Sequence, residues 1–152
     1  MRWDTFMKMD VQELTDKIDQ AFSNVPYPGD EKVASCPCPE CEDVRRDFCG
    51  QTPATIESEV IAHNFESLRL FSPEAYQFFL PAYLLYSIND LDSDVLVWVL
   101  FSLARPSKGH LRLFSNPQKE AVLEFVKWVQ TIDEFNDYAP VEEARRVWQT
   151  VG

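Results

Sequence analysis

The sequence predicts a single compact all-α domain of about six to eight short helices, and three observations carry that prediction. Apolar residues recur at steps of three and four over long stretches, alternation of period two is weak throughout, and several helix starts are defined by proline, as at Thr52-Pro53, Ser72-Pro73 and Asn116-Pro117. The densest apolar stretch, Leu68 to Tyr86, sets the centre. Ser72 is a good N-cap there, Pro73 suits the first helical position, and Glu74 places negative charge against the helix dipole. Pro81 removes one helical hydrogen bond, so two short helices over 73–80 and 81–89 are expected to meet at a proline-broken corner. Apolar residues on every side of this pair imply burial nearly all round.

The remaining elements follow in order. Val11, Leu14, Ile18, Phe22 and Val25 make an amphipathic helix over 10–24, with Asp10 as its cap and Glu13 completing an acidic capping box. Pro26, Pro28 and Gly29 end it. Residues 26–41 form an irregular loop rich in proline and cysteine, followed by a short helix over 40–48. Thr52-Pro53 predicts another helix reaching 64, with Ile56, Val60 and Ile61 as its stripe. The apolar run Val95–Phe101 reads as a buried helix, because a lone strand without a partner is unstable, and Pro106 stops it. Ser115, Asn116 and Pro117 open a strong helix whose inner face is Ala121, Val122, Phe125, Val126, Val129 and Ile132. A last helix begins near Pro140, with Val141, Ala144, Trp148 and Val151 inward.

A chain of 152 residues is long enough for a core without staples. Its net charge of −11 repels nucleic acid and anionic lipid and favours solubility or a basic partner. The N-terminus has no apolar signal segment, and the longest apolar run is far too short to span a bilayer. A cytoplasmic protein is therefore expected, its cysteines reduced or metal-bound rather than paired in disulfides.

Three segments, IDQAFSNVPYPGD (18–30), LFSPEAYQFFLPAYLL (70–85) and FSNPQKEAVLEFVKWV (114–129), resemble a domain-of-unknown-function family, number 6714, of small bacterial proteins. The likeness covers most of the chain in the same order. Its motifs are a Pro-Gly-Asp turn, a Ser-Pro-Glu helix start and a Leu-Pro-Ala-Tyr break, all structural in character. The family has no established activity, so the resemblance implies an architecture and no catalytic residues.

The sharpest chemical feature is Cys36, Cys38, Cys41 and Cys49, spaced C-x-C-x2-C-x7-C. Zinc favours tetrahedral thiolate ligation, and the Cys38–Cys41 turn presents two sulfurs on one side of a knuckle that Cys36 or Cys49 would complete. The flanking prolines stiffen the loop, which lowers the entropy lost on assembling a site. Two other readings stand beside a structural zinc site: four free thiols, some buried as small hydrophobes, or a redox pair at Cys38 and Cys41.

Other features carry less chemistry. His63 ends a helix, where the dipole favours it, and His110 lies in a loop without a spaced partner. Asp90, Asp92 and Asp94 lack the glycine and late glutamate of a calcium loop and read as a turn and cap. No Gly-rich phosphate loop occurs among the four scattered glycines. The loop Arg105–Arg112 lies in a stretch free of acidic residues from 95 to 119, which suits an anion or internal pairing with the acidic surface. Two functional classes result: a non-enzymatic binding protein for a basic partner, in the manner of toxin-immunity proteins, and a thiol-based redox protein or other enzyme using the cysteines.

Overall fold

The computed structural model describes residues 2–34, 36–107 and 109–150, with side chains from 11 to 149 within them. The protein is all-α, with helices α1 (Arg2–Phe22), α2 (Pro39–Phe48), α3 (Ser58–His63), α4 (Pro73–Asn89), α5 (Asp94–Ala104), α6 (Asn116–Gln130) and α7 (Ala139–Thr150). Among the described residues no strand forms, only an isolated bridge between Ala34 and Phe71. No helix there is long and apolar enough to cross a membrane.

Helix α4 is the centre, and α1, α3 and α5 pack on it, while α7 lies across α5 and α6. Its N-terminus is built as the sequence predicts: Ser72 Oγ accepts from the Ala75 N–H at 3.1 Å and Pro73 opens the helix. The expected break at Pro81 does not occur, and one helix runs through it. An interior proline costs a helix about 3 kcal/mol. Each large apolar side chain fully buried contributes about 1.5–3 kcal/mol, and Phe79, Leu80, Tyr83 and Leu84 are all fully buried around it. Packing on every side therefore outweighs the one lost bond.

Two other boundaries differ. Helix α1 starts at Arg2, since nothing between residues 2 and 10 breaks a helix, so Asp10 lies within the helix and not at its start. The helix expected from Thr52 is a turn up to residue 56. There Thr52 and Thr55 each accept the other's backbone N–H through a side-chain oxygen, at 3.2 and 2.8 Å, the local competition that hydroxyl residues offer to helix bonding. Helix α3 begins only at Ser58.

The later helices follow expectation, except that α6 ends at Gln130 and leaves Ile132 beyond it. Ser115 and Gln118 form a reciprocal capping box, and the same Gln118 donates to the Ala21 carbonyl at 3.2 Å, fixing α1 to α6. Val141, Ala144 and Trp148 are buried, the Trp148 indole donating to the Leu103 carbonyl at 3.0 Å. Val151 lies outside the described residues.

Candidate metal centre

Helix α2 carries a buried stripe of Cys41, Val44 and Phe48, which are three and four residues apart. Phe48 anchors it in the aromatic centre, edge-on to Phe71 at 5.0 Å and to Phe79 at 4.9 Å. Cys38 is the N-cap residue in extended conformation and Pro39 is the first helical residue, so the helix starts within the cysteine motif.

The preceding loop is held from both ends. Val33 and Ala34 are buried, the Ser72 N–H donates to the Val33 carbonyl at 3.3 Å, and the Ser72 hydroxyl donates to the Lys32 carbonyl. The residue that caps the central helix thus also fastens the loop leading to Cys36. From the other side Arg45 donates to the carbonyls of Ala34 and Cys36.

These restraints bring the sulfurs of Cys36, Cys38 and Cys41 within 4.8 Å of one another. A tetrahedral ion with metal–sulfur bonds of about 2.3 Å needs sulfurs about 3.8 Å apart, so the trio fits a thiophilic ion with only a small inward shift. Cys41 is buried, whereas Cys36 and Cys38 are half-buried. The Cys38 N–H donates to the Cys36 sulfur at 3.2 Å. The Cys36 thiol beside Cys38 holds the Cys38 thiol below its ordinary pKa, with the Cys41 N–H acting in the same sense. Burial pushes Cys41 up to about 11, reinforced by its hydrogen bond to Cys38.

Cys49 stands apart from this cluster, and the expectation that it ligates the same ion is corrected. It caps the C-terminal end of α2 while Cys41 occupies the first turn. A rise of about 1.5 Å per residue puts these two backbones about 12 Å apart along the axis, too far to share an ion. The Cys49 thiol instead meets Asp30 and Tyr27, and the hydrogen bond to Asp30 raises its pKa. Tyr27 donates to Asp30 and accepts the Gly50 N–H at 2.7 Å. The nearby carboxylates are also engaged: Glu40 with Arg69 at 3.5 Å and Asp43 with Arg46 at 3.1 Å.

The other candidates resolve into structural roles. His63 is exposed at the last residue of α3. His110 is buried, its ring stacked on Tyr76 at 4.3 Å and its Nε2 donating to the Phe71 carbonyl at 2.8 Å. Burial holds its pKa below the ordinary value. In the basic loop Arg105 pairs with Glu143 at 3.2 Å and Arg112 lies 4.0 Å from Glu74, while Lys108 lies outside the described residues.

One surface feature is absent from the sequence-based expectations. Trp98 and Phe101 are 38% and 39% exposed on α5. They belong to a strip of rings running Phe65–Trp98–Phe101–Tyr138–Phe135, with successive centroids 6.1, 6.3, 6.5 and 5.7 Å apart. A cleft of about 180 Å³ opens in it, with Arg69 and Arg105 in its lining. The helical period carries the signal for it: Val95, Leu96, Val99, Leu100 and Leu103 fill one face, which leaves 98 and 101 on the other.

No family model, no curated protein and no solved structure matches the chain.

Proposed function

We propose that this chain is a non-enzymatic binding protein for a basic protein partner, with its cysteine loop fastened by a zinc ion. The aromatic strip, exposed at Trp98 and Phe101, carries the reading. Trp, Tyr and Arg are the side chains that concentrate binding energy at protein interfaces, and here Trp98, Tyr138, Arg69 and Arg105 stand together on one surface. Asp133, Glu134 and Asp137, all exposed, surround Phe135 and Tyr138, and the chain as a whole carries −11, which steers a basic partner toward the strip. The exposed Glu40–Arg69 ion pair runs from the start of α2, beside the cysteine knuckle, to the lining of the cleft. A role like that of toxin-immunity proteins, and membership of the family numbered 6714, belong to the same reading.

The test passes a low-salt extract of the source organism over immobilised wild type and over a Trp98→Ser/Phe101→Ser variant in parallel. The expected result is a basic protein retained by the wild type alone and released as salt rises. Equal retention by both, or retention of nothing basic, removes the reading. Native mass spectrometry before and after a chelator checks the ion: one zinc is expected, lost with the chelator and accompanied by lower stability.

A second reading, thiol redox chemistry, is favoured by one observation. Cys38 at the head of α2 is half-exposed with a depressed pKa, next to a buried Cys41 with a raised one, the asymmetry of an attacking and a resolving thiol. Mild oxidation of the metal-free protein that yields no Cys38–Cys41 disulfide counts against it.

A further inference from the structure

The cluster has three sulfurs where a closed structural zinc site has four ligands. Among the described residues no fourth Cys, His, Asp or Glu ligand atom joins them. Cys49 is held at the far end of α2, His110 is bound to the Phe71 carbonyl, and Glu40 faces Arg69. Pro37 and Pro39 on either side of Cys38 are exposed, and Cys36 and Cys38 are only half-buried, so the knuckle is open toward solvent. We infer that an ion held by Cys36, Cys38 and Cys41 keeps one coordination position open and fills it with a neutral nitrogen donor, an imidazole, from outside the chain.

The charge balance favours a neutral donor over an anionic one. Three thiolates exceed the charge of a divalent ion by one, and the Arg45 guanidinium, fixed on the Cys36 carbonyl, offsets that excess. A fourth anionic ligand would add uncompensated negative charge close to the exposed Glu42, within a chain already at −11. A neutral donor adds no charge, and imidazole suits zinc and its surrogates. The inference rests on the metal reading above.

Cobalt(II), which reports its ligands through visible absorption, is the probe. The metal-free protein is loaded with one equivalent and titrated with imidazole and, separately, with thiocyanate as an anionic comparator. The expected result is a saturable shift of the visible bands with imidazole and at least a tenfold weaker response to thiocyanate. The Cys49→Ser variant is expected to give the wild-type spectrum. A band shift on dilution that His63→Ala abolishes assigns the imidazole to a second copy of the chain; spectra independent of dilution exclude a second copy as its source. Bands unmoved by imidazole, a Cys49→Ser spectrum that differs, or equal response to thiocyanate each overturn the open neutral-donor site while leaving metal binding intact. Failure to bind cobalt or zinc at all removes the metal reading itself, and this inference with it.

Discussion

Arg45 reaches from α2 to the carbonyl oxygen of Cys36, 2.5 Å away, and to that of Ala34 at 3.3 Å. One guanidinium thereby closes the loop that carries the first cysteine onto the helix that carries the other two. Arg45→Met keeps much of the apolar stem and removes both bonds. Leaving those carbonyls without a donor should cost about 1–3 kcal/mol in chemical denaturation of the metal-free protein. Outer groups that orient metal ligands typically contribute 10-fold or more to affinity, so zinc competition against a chelator should weaken by about 10-fold. Unchanged midpoint and unchanged affinity would mean that the loop is held without Arg45.

Ser72 gives a second, separable handle. It caps α4 and also donates to the carbonyls of Lys32 and Val33, through its hydroxyl and its backbone N–H, whereas Ser115 serves only its own capping box. Loss of a cap costs about 1 kcal/mol and loss of a further hydrogen bond about another. Ser72→Ala should therefore destabilise by about 2 kcal/mol and Ser115→Ala by about 1 kcal/mol in urea. Equal losses would show that the loop bond adds nothing.

Why some features are legible in the sequence and others are not is visible in these residues. The caps at Ser72 and Ser115 are local, so dipeptides announce them. The departures at Pro81 and at Thr52 come from terms a local reading omits: burial on all sides in one case, two hydroxyls bonding each other's backbone in the other. Cys49 is the instructive error. A helix over 40–48 sets Cys41 and Cys49 at opposite ends, so the rise per residue is by itself enough to exclude a shared ion. The grip of Arg45 and Ser72 on the loop is not legible, because it depends on which backbone carbonyls meet after folding.

Thiol reactivity separates the four cysteines. In the metal-free folded protein, alkylation near neutral pH should modify Cys38 first, because its thiol is held low, and Cys41 last, because it is buried and pushed up to about 11. Cys49 is exposed yet raised by Asp30. Asp30→Asn should accelerate Cys49 alone. Peptide mapping of partially alkylated protein reads all four sites at once, and a Cys41 that reacts before Cys38 would reverse the assignment.

The pH dependence of stability has a different cause at each end. Cys41 and Tyr27 are pushed up to about 11 and about 12, so the folded state holds their protons more tightly than the unfolded chain does. Their contribution is complete below the ordinary thiol pKa of about 8.5 and is lost as pH rises through about 11 for Cys41 and about 12 for Tyr27. His110 works in the opposite direction: its folded pKa is lowered by burial, so its contribution is complete above about 6.5 and is lost as pH falls below that. Denaturation midpoints of the metal-free protein should thus be highest between about pH 6.5 and 8.5 and fall on both sides. His110→Phe, which keeps a ring against Tyr76, should flatten the part of the acid limb that His110 supplies and leave the alkaline limb in place. Zinc replaces the protons on the cysteine thiols, so the loaded protein should lose the thiol part of the alkaline limb. An alkaline limb identical with and without zinc would exclude Cys41 and place its origin in raised groups outside the cluster, Tyr27 and Cys49 among them.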